Sequence, residues 1–127
     1  MEYVFIVDDE PALQFFYKKL LSFNGFGVAG IAEDGEEAVS MFKLFSEKPK
    51  VILMDHRMPE MTGLEASVEI LELDKNVKII FVSADMSIRE EALALGAFSF
   101  WVKPFALDQL LDEIRRAIKT YPSVNEH

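Results

Sequence analysis

The sequence predicts an α/β protein built on a doubly wound parallel sheet of five strands. Short apolar runs alternate with amphipathic helical patterns at a spacing of about 25 residues along the 127-residue chain. The runs at 51–54 and 79–82 are apolar at every position, as expected of strands that helices cover on both faces. The chain length fits one domain with one core. We therefore expect five consecutive strand–helix units in a three-layer sandwich.

Five short apolar runs are the predicted strands. The second run contains Gly30, which weakens the interior of a strand and places this run nearer an edge of the sheet. No linker, internal repeat or low-complexity segment separates the runs. The predicted strands are residues 3–7, 28–32, 51–54, 78–82 and 98–102.

Five stripes of apolar residues at helical spacing predict the helices that follow the strands. Pro11 suits the first position of the first helix, and Asn24-Gly25 ends it. Gly96 ends the short fourth helix, and the fifth helix has the clearest period. The stripes consist of Leu13, Phe16, Tyr17 and Leu20; Ala38, Val39, Phe42 and Phe45; Leu64, Val68 and Leu71; Ile88, Ala92 and Leu95; and Leu107, Leu110, Leu111, Ile114 and Ile118, with Phe15 and Phe81 also expected in the interior.

The composition excludes several classes of function. The net charge of −9 repels a phosphate backbone, so we expect no direct binding to nucleic acid. No apolar run approaches the ~20 residues that a membrane helix needs, and no signal peptide is visible. The absence of cysteine excludes disulfides and thiolate metal sites and is compatible with the cytoplasmic location that we expect. We expect a domain at residues 1–121, followed by a tail at 122–127.

Polar side chains follow four of the predicted strands at the points where these strands end. Asp8 and Asp9 follow the first strand, Asp55 follows the third, Ser83 the fourth and Lys103 the fifth. In an open parallel α/β sheet, ligands bind outside the carboxyl ends of the strands. These five side chains are therefore expected to share one crevice, where they could bind a divalent cation and a phosphoryl group.

The chemistry of each residue type narrows this interpretation. The paired carboxylates after the first strand suit a hard cation such as Mg²⁺, although such a pair also occurs as ordinary helix-start chemistry. Asp55 is either a cation ligand or a nucleophile that accepts a phosphoryl group. Lys103 would supply a second cation, and Ser83 would donate a hydrogen bond to a phosphoryl oxygen. A cis Lys103-Pro104 bond would help to aim the lysine into the site.

Four motifs in this order resemble the receiver domain of two-component response regulators. They are Asp8-Asp9-Glu10, Asp55-His56-Arg57-Met58-Pro59 with Gly63 after it, Ser83-Ala84, and Lys103-Pro104-Phe105. The resemblance extends from Tyr3 to about Tyr121, and the chain looks like the single-domain, chemotaxis-regulator-like members of the family. It implies a flavodoxin-like fold with the strand order 2-1-3-4-5.

The resemblance implies roles in phosphorylation for three of these residues and for Phe100. Asp55 would be the phosphoacceptor, and Lys103 and Ser83 would contact the phosphoryl group. Ser83 and the aromatic residue Phe100 would move together when the domain is phosphorylated, which is a two-state change biased by a new dianion. Ser83 stands where threonine is common, and Phe100 lacks the hydroxyl that a tyrosine would have.

The resemblance also implies a magnesium site. Asp9, Asp55 and the backbone carbonyl of Arg57 would bind Mg²⁺ directly, and Asp8 would act nearby through water. Arg57 and Asp85 occupy positions that tune the hydrolysis of the phosphoryl group in this family. Arg57 would either shield this group or pair with Asp85.

The expected partners follow from the same resemblance. A sensor histidine kinase or a phosphotransfer protein would supply the phosphoryl group. The signal would pass through the face formed by the fourth helix, the fifth strand and the fifth helix to a protein target or an output domain. Strand alternation places Phe98 and Phe100 on one face, opposite Trp101 and Lys103. This pair would either dock a partner or a second copy of the chain, or pack against the last two helices.

Other functions are less consistent with the sequence. An aspartate-nucleophile phosphohydrolase typically has a second aspartate two residues after the first, where this chain has Arg57. A constitutive binding module with a silent site would not require the complete set of polar residues at the strand ends. Neither a glycine-rich dinucleotide fingerprint nor a Walker loop is present. We expect no enzymatic activity beyond self-phosphotransfer and self-dephosphorylation, and His56 is expected to be a loop residue without a catalytic role.

Overall fold

The computed structural model describes residues 1–120, which form a five-stranded parallel sheet with the strand order β2-β1-β3-β4-β5. The strands are β1 (Tyr3–Val7), β2 (Gly27–Ala32), β3 (Val51–Met54), β4 (Lys78–Ser83) and β5 (Ser99–Val102). The helices are α1 (Pro11–Phe23), α2 (Gly35–Leu44), α3 (Gly63–Leu73), α4 (Arg89–Leu95) and α5 (Leu107–Lys119), with a 3-10 turn at Met86–Ile88. The fold class and the strand order that we expected are confirmed, including the edge position of the strand that contains Gly30.

The sheet separates two hydrophobic layers because successive residues of a strand point to opposite faces. In β1, Phe5 and Val7 face the layer formed with α2, α3 and α4. Val4 and Ile6 face the layer formed with α1 and α5. The central strand β3 contributes to both layers, which explains why it is apolar at every position.

Local signals place the ends of several helices. The side chain of Asp34 accepts a hydrogen bond from the amide of Glu37 at the start of α2. Thr62 and Glu65 form a capping box at the start of α3. Gly96, with a φ of +117°, ends α4 in the left-handed conformation that glycine adopts without steric strain.

Some apolar side chains that we assigned to the interior lie on the surface. Phe15 and Phe16 of α1 are 57% and 54% exposed, and Val68 of α3 is 46% exposed. Tyr17 and Leu21 are the buried residues of α1. The predicted stripe included Tyr17 but missed Leu21, because periodicity alone does not decide which of several neighbouring apolar residues of a helix are buried.

Two further expectations concern the membrane and the C-terminal residues. Within residues 1–120, no helix has the length and apolar character that crossing a bilayer requires. The tail that we expect at residues 122–127 lies outside the described residues.

Candidate functional site

Backbone hydrogen bonds fix the polar residues that follow β1, β3 and β5 at the carboxyl ends of these strands. The amide of Asp8 donates to the carbonyl of Ala32 at 3.0 Å, and the amide of Asp55 donates to the carbonyl of Val7 at 2.9 Å. The amide of Lys103 donates to the carbonyl of Ser83 at 3.0 Å. Each polar residue therefore continues the strand ladder by one step, which brings these side chains to the same edge of the sheet.

Three carboxylates form the centre of this edge. Asp8, Asp9 and Asp55 each have a carboxylate oxygen within 4.8 Å of the other two. The side chains of Asp8 and Asp55 are buried, with 2% and 6% exposure, whereas Asp9 is exposed. Clustered carboxylate oxygens that remain open to solvent on one side are the ligand type that Mg²⁺ prefers.

Lys103 is the ammonium group that faces these carboxylates. Its Nζ lies 3.2 Å from Oδ2 of Asp8, 3.7 Å from Oδ2 of Asp55 and 3.5 Å from Oε1 of Glu10. The bond between Lys103 and Pro104 is cis. Burial, the largest single influence, lowers the pKa of Lys103, but the carboxylates of Asp8 and Asp55 outweigh it and raise the pKa above its ordinary value.

The ammonium group of Lys103 offsets only part of the cost of burying the carboxylates of Asp8 and Asp55. Burial raises the pKa of Asp55 to about 6; Lys103 opposes this rise, and the charge of Asp8 adds to it. The pKa of Asp8 is also raised, chiefly by burial, against the opposing hydrogen bond from the amide of Glu10 and the charge of Lys103. A further cation among these oxygens would favour both ionised carboxylates. The donor set therefore fits a hard divalent cation.

The segment after β3 holds Asp55 in a narrow range of positions. Its Oδ1 accepts a hydrogen bond from the amide of His56 at 2.8 Å, and the carbonyl of His56 accepts one from the amide of Gly63 at 3.0 Å. A Cβ atom at residue 63 would collide with the backbone carbonyl of Asp55, so the close approach of α3 to the site requires glycine. His56 takes part through its backbone, and its Nδ1 is buried without a partner among the described residues.

Ser83 and the rim of the site form a second group of contacts. Ser83 is 1% exposed, and its Oγ accepts a hydrogen bond from the amide of Asp85 at 3.1 Å. The carboxylate of Asp85 lies 3.5 Å from the guanidinium of Arg57, so the rim adopts the pairing that was one of our two alternatives for Arg57. Hydrogen bonds from Ser87 lower the pKa of Asp85, and the charge of Arg57 contributes less.

The two phenylalanines of the β5 region lie on opposite faces of the sheet, so our prediction that they share one face is wrong. Phe100 packs with the layer of α2, α3 and α4 and stacks on Phe81, with the ring centroids 6.2 Å apart. Phe98 packs with Trp101 on the layer of α1 and α5, where the guanidinium of Arg116 lies 4.5 Å from its ring centroid. Phe98 precedes β5, so strand alternation does not extend to it.

Sequence reasoning missed several contacts of charged and polar side chains. Glu10 approaches Lys103, and the amide nitrogen of the Gln14 side chain donates to the backbone carbonyl of Asp8 at 2.6 Å. On α5, Glu113 is 7% exposed and accepts two hydrogen bonds from Arg116, at 2.8 and 2.9 Å. Glu113 and Arg116 are three residues apart, and this spacing could have predicted their contact because such pairs are neighbours on a helix.

Comparisons with known proteins agree with this arrangement. The family model described as response regulator receiver domain matches residues 4–115. The chemotaxis protein CheY of Thermotoga maritima is 38% identical over 118 residues, which cover 91% of this chain and 97% of that protein.

Solved structures show the same fold. The CheX-CheY-BeF3-Mg²⁺ complex from Borrelia burgdorferi contains a chain that is 30% identical with a TM-score of 0.86, covering 92% of this chain and 89% of that one. The response regulator TrrA from Thermotoga maritima, solved in complex with Mg²⁺ and BeF, is 32% identical with a TM-score of 0.81, covering 92% and 99% of the two chains. The chain described here therefore belongs to the receiver domain family of two-component response regulators.

Proposed function

We propose that this receiver domain is a phosphorylation-dependent signalling switch in which Asp55 accepts a phosphoryl group from a sensor histidine kinase or a phosphotransfer protein. The observation that supports this role most directly is the position of Asp55. Its carboxylate is buried beside two other carboxylates and lies 3.7 Å from the ammonium of Lys103, at the edge of the sheet where parallel α/β proteins bind ligands. We assign the receiver unit to residues 1–121 and a tail to residues 122–127.

The proposed reaction is a nucleophilic displacement at phosphorus. A carboxylate oxygen of Asp55 forms a bond to phosphorus while the bond between phosphorus and the donor breaks, and the donor leaves with the electron pair of that bond. The donor atom is the imidazole nitrogen of a phosphohistidine or the acyl oxygen of a small acyl phosphate. With a pKa of about 6, Asp55 is mostly ionised at neutral pH and can act as the nucleophile.

The other side chains of the site position the phosphoryl group. Lys103, which already contacts Asp8 and Asp55, provides a positive charge for its oxygens. Ser83 provides a hydroxyl at the end of β4 that can donate to one of them while it still accepts from the amide of Asp85. Arg57 and Asp85, paired across the rim, occupy the positions that tune hydrolysis of the phosphoryl group in this family.

We propose that Asp9, Asp55 and the backbone carbonyl of Arg57 hold Mg²⁺ directly and that Asp8 acts through water. The cluster of three carboxylates is consistent with this assignment, and the exposed Asp9 is open to an ion from solvent. When bound, the ion supplies positive charge that neutralises the oxygens of the transferring group.

The proposed output is a change in the α4-β5-α5 face. A hydrogen bond from Ser83 to the phosphoryl group would draw the end of β4 towards Asp55, and Phe100 would then repack from its stacked position on Phe81. Because Phe100 has no hydroxyl, its two positions differ in packing alone. The changed face regulates a protein target, an output domain or a second copy of the chain. We expect this domain to bind neither nucleic acid nor a membrane directly and to function in the cytoplasm.

The test is the intact mass of the protein after incubation with Mg²⁺ and acetyl phosphate. Wild type should gain one acid-stable, base-labile phosphoryl group, whereas Asp55→Asn, which keeps the shape of the side chain but lacks the nucleophile, should gain none. Asp9→Ala should lose both phosphorylation and the stabilisation by Mg²⁺. A wild-type protein that binds Mg²⁺ but gains no mass, even with a competent kinase, would instead support a constitutive binding module.

A further inference from the structure

A buried hydroxyl group lies unpaired in the layer between the sheet and helices α1 and α5. Tyr17 of α1 is 1% exposed, and its hydroxyl oxygen has no hydrogen-bond partner within residues 1–120. Its ring packs among the side chains of β1, β3 and α5. Buried polar groups are nearly always paired with protein or with ordered water, so this hydroxyl requires an explanation.

The geometry of α1 directs this hydroxyl towards the acidic site. Gln14 and Tyr17 are three residues apart and therefore lie on one face of the helix. The Gln14 side chain donates to the backbone carbonyl of Asp8 at 2.6 Å, which places this face against the residue that follows β1. Side chains of a helix lean towards its N-terminus, and the N-terminus of α1 is at the site edge of the sheet.

The charges that act on Tyr17 identify the same neighbours. Burial raises the pKa of Tyr17 above its ordinary value, and the carboxylates of Asp8, Asp55 and Glu10 raise it further. The hydroxyl therefore keeps its proton and remains available as a hydrogen-bond donor. The oxygens of Asp8 accept from the amide of Glu10 and from Lys103, and a carboxylate has lone pairs for further donors.

We propose that Tyr17 is a positioning residue of the phosphorylation site, whose hydroxyl donates to a buried water that donates in turn to the carboxylate of Asp8. This inference rests on the proposed function. A water accounts for the hydroxyl because proteins commonly use internal waters to pair buried polar groups that no protein atom reaches. The added donor restricts the orientation of Asp8, as hydrogen bonds behind metal ligands do.

Removing the Tyr17 hydroxyl should have different effects if its role is to position Asp8 and if its role is purely structural. A hydroxyl that is merely unpaired destabilises the fold, so removing it would raise stability and leave Mg²⁺ binding unchanged. A hydroxyl that acts through a water on Asp8 would do the opposite: its removal would weaken Mg²⁺ binding and would not stabilise the protein without metal.

The experiment compares Tyr17→Phe with two matched controls. Tyr3→Phe removes a hydroxyl at the other end of β1, from a residue that is 46% exposed. Leu21→Val reduces the packing of α1 one turn further from the site without removing a polar group. For each protein, the Kd for Mg²⁺ is measured by calorimetric titration, and unfolding by urea is measured in the absence of metal.

We expect Tyr17→Phe to raise the Kd for Mg²⁺ by about three- to tenfold, as for the loss of one hydrogen bond that supports a charged group. Tyr3→Phe should leave the Kd and the unfolding midpoint unchanged. Leu21→Val should lower the midpoint and leave the Kd unchanged, which separates loss of packing from loss of the hydroxyl.

Three results would overturn the inference. The first is an unchanged Kd in Tyr17→Phe with normal Mg²⁺ binding by wild type, which would leave the proposed function intact. The second is a high-resolution crystal structure of wild type in which no water lies between the hydroxyl and Asp8. The third is wild type that neither binds Mg²⁺ nor accepts a phosphoryl group, which would remove the proposed function together with this inference.

Discussion

Asp55 and Glu113 are buried to nearly the same extent, with 6% and 7% exposure, but the fold shifts their pKa values in opposite directions. Asp55 lies at the end of β3, and burial raises its pKa to about 6. Glu113 lies on α5, and the hydrogen bonds from Arg116, its largest influence, lower its pKa.

Asp55 is more deeply desolvated than Glu113, and the partners of the two carboxylates add to this difference. Arg116 donates to both oxygens of Glu113 from the same helix, and this guanidinium serves one buried carboxylate. The ammonium of Lys103 is shared among Asp8, Glu10 and Asp55, and it lies farthest from Asp55, at 3.7 Å. One charge therefore cannot offset the burial and mutual repulsion of several carboxylates.

Glu113 carries a structural charge, whereas Asp55 belongs to a cluster of charges that suits a function. The carboxylate of Glu113 is paired with a guanidinium on its own helix. An incompletely compensated cluster is less stable by itself, but it gains free energy when a cation arrives, and perturbed carboxylates of this kind are typical of functional sites. The following experiments change one carboxylate or its surroundings at a time.

The largest effect should come from Asp55→Asn in the absence of metal. Removing a charge that is buried beside Asp8 and Asp9 should stabilise the protein at neutral pH, by about 3 kcal/mol for a pKa shift of about two units. Urea unfolding of wild type and variant measures this difference. A variant that unfolds more easily than wild type would contradict the repulsion that we infer, and Asp108→Asn on the exposed start of α5 is the control.

The pH dependence of urea unfolding should show that the pKa of Asp55 is raised in the folded protein. The folded pKa of Asp55, about 6, lies above the ordinary value of 3.8, so the folded protein binds more protons than the unfolded chain between these values. Without metal, stability should therefore fall by about 2 kcal/mol as the pH rises from about 4 to about 7. Asp55→Asn should reduce this decrease, and an equal decrease in both proteins would assign it to other groups.

Magnesium should stabilise wild type by less than Asp55→Asn stabilises the metal-free protein. A ligand that binds only the folded state at ten times its Kd adds about 1.4 kcal/mol to the free energy of unfolding. Thermal or urea unfolding with and without Mg²⁺ measures this shift. Glu113→Gln should retain it because Glu113 lies outside the carboxylate cluster, whereas Asp9→Ala should lose it; a shift that persists in Asp9→Ala would place the ion elsewhere.

The smallest effect should come from Glu113→Gln. Replacing the charge-assisted hydrogen bonds to Arg116 by neutral ones should lower stability by about 1 kcal/mol at neutral pH, opposite in sign to Asp55→Asn. Because the folded pKa of Glu113 lies below its ordinary value of 4.5, this difference should disappear as the pH falls below 4.5 and through the folded pKa. Equal stability of the two proteins at pH 7 would show that the ion pair contributes nothing.

Much of the fold and of the site could be predicted from the sequence because both depend on local patterns. The apolar runs of β3 and β4 and the glycine that ends α4 are properties of neighbouring residues. The polar residues that follow each run, Asp8, Asp55 and Lys103 among them, meet at one edge because parallel strands all end on the same side.

Only the tertiary structure decided which side chains become neighbours across elements. It exposed Phe15 and Phe16 and buried Leu21, because the path of α1 over the sheet, and not its apolar content, selects the buried face. It moved Phe98 to the face opposite Phe100 because the strand begins one residue later. The sharing of one lysine among several carboxylates likewise depends on distances between residues far apart in the chain, which no local pattern contains.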